Sequence, residues 1–323
     1  MADSLVVTTT STNRMRRQQL EDMLFRGTTK LFAVGVLLLL GAIMLALFIG
    51  ALPAIRAFGF TFLVDSTWNP VKQIFGGAPA IYGTIVTSII AMLIGVPLAL
   101  GVAIFLTELC PPSLRRPIGT LIELLAAIPS IIYGIWGLFV LAPFLQSTVQ
   151  PFLKATLGEI PGFGILFSGP PLGLGILTAG FILAVMVLPF IAAVTRDVFM
   201  TVPPMLRESA YGVGCTTAEV VRNIVLPFTR VGVVGGVMLG LGRALGETMA
   251  VTFVIGNAHR ISPSLLAPGT TISASLANEF TEATGPLYTS SLIELGLILF
   301  FITFVVLAAA KLMLLRIERQ AAK

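Results

Sequence analysis

The sequence predicts an all-α polytopic membrane protein with six transmembrane helices and both termini in the cytoplasm. Three observations predict it. Of 323 residues, 56% are hydrophobic and only 11% charged, with mean hydropathy +0.99, which lies outside the usage of soluble domains. Six apolar runs reach the roughly 20 residues that a helix needs to cross the hydrocarbon core. The Lys and Arg residues fall mainly between alternate runs, and basic residues are retained on the cytoplasmic side.

The runs lie near 31–55, 80–107, 118–145, 172–195, 231–255 and 288–315. A polar, basic stretch without a short apolar core precedes the first, so it is expected to stay attached rather than be cleaved as a signal peptide. Residues 1–30 therefore read as a cytoplasmic N-terminal segment, with Ser- and Thr-rich positions 1–13 as a disordered tail. Residues 31–79 read as the first transmembrane helix and an outer loop, 80–315 as the main transmembrane domain, and 316–323 as a cytoplasmic tail. With the N-terminus inside, fifteen of the 20 basic residues are cytoplasmic and only Arg56, Lys72, Lys154 and Arg260 lie outside, leaving Arg243 within a span. The net charge of +5 is thus an orientation signal and gives no reason to invoke nucleic acid. Cys110 and Cys215 both fall on the reducing side, without the spacing of a metal or redox site.

The spans differ in kind. The first, LLLLGAIMLALF, is apolar all round and reads as a lipid-facing anchor. Pro97 in the second and Glu123 and Pro129 in the third mark inner helices, because a carbonyl freed by proline must be satisfied by a neighbour or by cavity water. In the fifth, Gly232, Gly236 and Gly240 recur every four residues and form a stripe that can approach another backbone closely. Arg243 and Glu247 follow at i and i+4, and in one continuous helix they share the face of that stripe.

A charge at bilayer depth costs about 2.5–3.5 kcal/mol on insertion scales, so something must offset it. One reading is an internal ion pair, Arg243 and Glu247 neutralising each other between helices. The other is an oxyanion site. Arginine offers a fork to two oxygens, and the glutamate accepts a hydrogen bond from a P–OH, which phosphate carries at neutral pH and sulfate lacks.

Residues 203–230, PPMLRESAYGVGCTTAEVVRNIVLPFTR, are polar between apolar runs. They place Glu208, Ala210, Gly214, Ile224, Leu226 and Pro227 at the spacing E-x-A-x-x-x-G-x9-I-x-L-P. This spacing resembles the cytoplasmic coupling loop of ABC importer permeases. Locally it predicts two short helices joined at Gly214: Pro203 and Pro204 in a first turn, a Thr216–Glu219 capping box, and Pro227 ending the second.

The stretches GLGRALGETMAV, ELLAAIPSIIYGIWGLFV and ESAYGVGCTT, with TWNP at 67–70 and IYGT at 81–84, resemble the PstC-type permease subunit of phosphate-specific ABC transporters from about residue 30 to 315. The resemblance implies a type I ABC importer permease fold in the cell inner membrane, moving inorganic phosphate inward by alternating access. It implies Arg243 and Glu247 in translocation, and no cofactor in this chain. It further implies a second, PstA-like permease, two PstB-like ATP-binding subunits and a periplasmic PstS-like phosphate-binding protein as partners. The chain carries no G-x-x-x-x-G-K-[ST] motif, so ATP hydrolysis is expected from a separate chain.

Glu123 and Pro129 are candidate gating residues, and Glu294 is a weaker candidate of the same kind. Tyr82, Tyr133 and Trp136 read as packing or interfacial anchors. His259, the only histidine, reads as solvated. Outer loops 56–79, 146–171 and 256–287 are the expected docking surface for a binding protein. Three alternatives stay open: a permease for sulfate, molybdate or phosphonate; an ATP-independent secondary transporter, in which a coupling segment has no role; and a membrane-embedded enzyme, which needs a nucleophile and base or a metal cluster that one loop histidine does not supply.

Overall fold

The computed structural model describes the backbone of residues 2–162 and 164–321, and the side chains of 18–162 and 164–316. The chain forms two compact units, 1–50 and 51–323. Helix α1 runs Ala2–Phe58. The stretch 1–13 expected as a disordered tail is helical from Ala2, since prolonging a nucleated helix needs no new nucleus. Within the first unit Leu31, Phe32 and Leu37 to Leu40 are exposed, as a lipid-facing span requires.

The second unit continues with strands β1 (Trp68–Asn69) and β2 (Ile74–Phe75), a small antiparallel hairpin that is a minor departure from an all-α fold. Then come α2 (Ala78–Ile104), α3 (Pro112–Ala127), α4 (Ser130–Trp136), α5 (Ala142–Phe144), α6 (Gln150–Leu157) and α7 (Ile176–Met200). Helices α8 (Pro204–Gly212), α9 (Thr217–Val220), α10 (Leu226–Leu245), α11 (Met249–Thr252), α12 (Ile272–Glu279) and α13 (Pro286–Ala321) complete it.

Among the described residues, six segments are long and apolar enough to cross a membrane: Gln18–Leu63, Ala78–Leu109, Ser130–Leu157, Ile176–Met200, Thr217–Leu245 and Pro286–Arg316. Four follow the expected runs. The third span is displaced, because the chain does not pass helically through Pro129: Ile128 is extended, with ψ 130°, and separates α3 from α4. The proline ring disfavours the helical region for its predecessor. The fifth span starts earlier and stops earlier than 231–255, because Pro227 does not end a helix and Gly246 does.

Pro227 is carried by a π-helical turn, Val221–Val225, that joins α9 to α10. Three further π turns, Phe105–Leu109, Gly137–Leu141 and Leu145–Val149, each end two residues before Pro111, Pro143 and Pro151. A proline clashes with the carbonyl four residues back, and in all four cases that carbonyl lies inside the widened turn.

Small residues set the spacing of the second unit. A Cβ on Gly180 would stand 2.6 Å from Ile90, and one on Gly95 3.4 Å from the Ala184 carbonyl, so α2 and α7 approach backbone to backbone. The predicted stripe on α10 is real and buries against α7. Added Cβ atoms at Gly232, Gly236 and Gly240 would stand 2.5, 2.9 and 2.6 Å from Val198, Val194 and Ile191.

Candidate coupling and translocation sites

The segment 203–230 folds as two helices about Gly214. Helix α8 ends in a complete Schellman motif: Cys215 N–H donates to Ala210 C=O at 3.1 Å and Gly214 N–H to Tyr211 C=O at 3.0 Å. Gly214 stands at φ +91°, a conformation that glycine adopts freely. The predicted capping box forms, with Glu219 N–H donating to Thr216 Oγ1 at 3.4 Å and Thr216 N–H to Glu219 Oε2 at 2.7 Å.

Ala210, 6% exposed, sits in an apolar cluster with Ala103 of α2, Phe199 of α7, and Val220 and Val225; Ile224 and Leu226 pack on its edge. The small and apolar positions of the spacing thus dock the segment onto the ends of α2 and α7. Glu208 is exposed, and Met205, Tyr211 and Val213 present apolar surface beside it. Sequence reasoning missed two residues here. Arg207 Nη2 donates to Phe199 C=O at 2.8 Å and lies 3.1 Å from Glu108 Oε1. Arg207 counted only as an orientation charge, and Glu108, in the loop-proximal turn after α2, carried no motif.

Arg243 lies two residues before the end of α10, exposed on the isolated chain, while Gly236 and Gly240 are buried. The helix breaks at Gly246, so Arg243 and Glu247 do not share a helical face as expected from one continuous helix. Among the described residues, none forms an ion pair or hydrogen bond with the Arg243 side chain. Tyr133 of α4 lies within its electrostatic reach. Glu247, half-buried past the break, accepts from Ala250 N–H through Oε1 at 3.3 Å.

The helices that follow the two breaks, α4 and α11, touch each other. A Cβ on Gly134 of α4 would stand 3.1 Å from Ala250 Cα and 3.2 Å from the Met249 carbonyl of α11. Tyr133, read as an anchor, is buried and donates to Leu125 C=O at 2.8 Å, satisfying a carbonyl freed by the break at Pro129. Glu123 lies on α3, before that break, rather than in the span. It accepts from Arg196 Nη2 at 2.6 Å, and Arg196 also bonds Asp197 at 2.7 Å. Gly119 lies beneath this guanidinium, with no room for a Cβ. Glu294 is buried in α13, and its Oε2 has no hydrogen-bond partner among the described residues.

His259 is not solvated. It stacks on Trp68 with centroids 4.9 Å apart and planes 5° from parallel, and its Nε2 lies 2.5 Å from Glu279 Oε1. A carboxylate only accepts, so Nε2 carries the hydrogen. Trp68 Nε1 and Tyr288 OH each donate to Glu279 Oε2 at 2.6 Å. One carboxylate thus ties the hairpin, the 256–271 loop, α12 and α13. Burial alone would raise its pKa, but the hydrogen bonds from His259, Tyr288 and Trp68 and the nearby His259 charge outweigh burial and hold it below the ordinary 4.5. The stability this contributes is present above pH 4.5 and is lost as pH falls through the lowered value. Glu279→Gln is therefore expected to destabilise the purified protein by about 1–3 kcal/mol near neutral pH, with the gap to wild type closing below pH 4.5 in thermal melts. A pH-independent gap would remove the charge from the explanation.

Residues 95–319 match the family described as binding-protein-dependent transport system inner membrane component. The chain is 64% identical over 304 residues to the phosphate transport system permease protein PstC of Mesorhizobium japonicum, covering 94% of this chain and 93% of that one. It is 56% identical to the protein of the same name from Pasteurella multocida, over 97% of both. The chain belongs to the binding-protein-dependent transport permease family, among the PstC proteins. Two solved ABC importers share its fold. The MetNI methionine transporter matches with TM-score 0.57 at 16% identity, over 78% of this chain and 99% of that one. An alginate transporter with its alginate-bound periplasmic protein matches with TM-score 0.55 at 19% identity, over 84% and 88%. The chain is therefore an inner-membrane transport component with a type I ABC importer permease fold. The permease-family match begins inside α2 and takes in both helix breaks and the coupling segment, leaving α1 and the hairpin outside it.

Proposed function

We propose that this permease moves inorganic phosphate into the cytoplasm, driven by ATP-binding subunits that dock on α8, with both termini and α8 on the cytoplasmic side. The observation that carries the reading is Arg243: a guanidinium within a membrane-crossing unit, exposed on the chain and unpartnered among the described residues, beside two helix breaks. Leaving it against lipid is costly. It instead faces a polar path completed by the second permease, and an oxyanion supplies its counter-charge. Glu247, held at the break through Oε1, keeps Oε2 for a substrate P–OH. The name shared by the relatives supports phosphate as that oxyanion.

The charge distribution supports the orientation. The docking surface is Glu208 with Met205, Tyr211 and Val213, set by the turn at Gly214, by the packing of Ala210, Ile224 and Leu226, and by the π turn that carries Pro227 into α10. Glu123 and Pro129 act at the gate: Pro129 separates α3 from α4, and Glu123 holds α3 to α7 through Arg196. The assembly comprises this chain, a PstA-like permease, two PstB-like ATPases and a PstS-like binding protein, and this chain needs no cofactor of its own. In proteoliposomes holding that assembly, ATP-dependent uptake of radiolabelled phosphate is expected, undiminished by excess sulfate or molybdate. Uptake of sulfate or molybdate in place of phosphate would reassign the substrate, and uptake without the ATPases would place the chain among secondary transporters.

A further inference from the structure

Helix α8 is fastened to the spanning helices by one guanidinium. Arg207 Nη2 meets the carbonyl of Phe199, next to the last residue of α7, and the carboxylate of Glu108, just past α2. The Glu108 side chain is only 4% exposed and that of Arg207 21%. Nη1 reaches the Val202 carbonyl, at the turn leading into α8, at 3.5 Å. The contact with Glu108 is close enough for an ion pair but is not aligned as a hydrogen bond, and Glu108 Oε1 and Arg207 Nε remain buried without hydrogen-bond partners.

Separating a buried ion pair leaves two uncompensated charges, which costs more than shifting well-packed helices together by a small distance. The imperfect alignment leaves a second arrangement within reach, in which a small shift of α8 completes the hydrogen bond. We propose that Arg207 and Glu108 are positioning residues that transmit movement of α8 to α2 and α7, and through the glycine contacts of α7 with α10 to Arg243. The proposal rests on the coupling reading of 203–230.

Its contrary is a static staple needed only for folding, and the quantity that separates the two is phosphate taken up per ATP hydrolysed by the reconstituted assembly. Arg207→Lys keeps the charge, and with it assembly, but an ammonium on a shorter-reaching, unforked stem does not hold the Phe199 carbonyl and Glu108 in the same geometry. The ratio is expected to fall at least about fivefold, within the range of site-to-site coupling, while basal ATPase is kept. Glu108→Gln is expected to lower both assembly yield and ratio. The double variant Glu108→Gln with Arg207→Gln, free of an unpaired buried charge, should recover yield but not ratio. A wild-type ratio in Arg207→Lys, or recovery of the ratio in the double variant, overturns the proposal. If Gly214→Val uncouples the assembly while Arg207→Lys does not, only this transmission role fails; if neither uncouples it, the coupling reading itself fails.

Discussion

Arg243→Gln is expected to abolish phosphate uptake in the reconstituted assembly while leaving assembly intact. Glutamine keeps polarity on a shorter side chain but removes the charged fork proposed to face an oxyanion. Each hydrogen bond to a charged group contributes about 1.5–3 kcal/mol, so losing two corresponds to a fall of roughly a hundredfold or more. Assembly survives because the Arg243 side chain has no bonded partner among the described residues, so its loss strands no buried carboxylate. Glu247→Gln should be milder. Its amide oxygen still accepts from Ala250 N–H, and what changes is selectivity or pH dependence, through the weaker acceptor offered to a P–OH. The double variant discriminates the two readings of this pair. If Arg243 and Glu247 serve only to neutralise each other, replacing both with glutamine restores uptake; if they handle substrate, the double variant transports no better than Arg243→Gln. Recovery of radiolabelled phosphate uptake in the double variant would refute the translocation role.

Gly214→Val should uncouple the assembly, abolishing uptake and substrate-stimulated ATPase while the permease still inserts. The reason is backbone conformation alone. An added Cβ at Gly214 meets nothing within 4 Å, yet φ +91° is strained for a β-branched residue by about 1–3 kcal/mol. Relief of that strain breaks the bonds from Gly214 and Cys215 to Tyr211 and Ala210, and with them the angle between α8 and α9. Gly214→Asn, which tolerates positive φ, should keep most of the uptake. Wild-type uptake in Gly214→Val, or equal loss in Gly214→Asn, would sink the explanation.

What was legible in the sequence was what neighbours along the chain decide. The capping box joins Thr216 to Glu219 three residues on, the glycine stripe follows from a spacing of four, and the six spans follow from run length and charge. The turn and packing within 203–230 were likewise readable, because Gly214 answers to one local turn and Ala210 and Ile224 to one apolar cluster.

Prolines and distant charges were not legible in this way. Pro97 and Pro189 sit inside continuous helices, Pro129 separates two, and Pro227 is absorbed by a π turn. The outcome depends on what bonds the freed carbonyl, and for Leu125 that is Ile128 N–H at 3.3 Å together with the hydroxyl of Tyr133, eight residues away across the break. The interruption at Gly246 removed the shared face expected for Arg243 and Glu247, which an ideal 3.6-residue period could not foresee.

By itself, then, the sequence determined the fold class, the number of spans and the local turns of 203–230. Only the tertiary structure decided that Arg207 meets Glu108 and that Trp68, His259 and Tyr288 converge on Glu279, the tryptophan from 211 positions away. A buried carboxylate takes its partners from whichever elements packing brings within about 3 Å, and no local period or motif encodes that meeting.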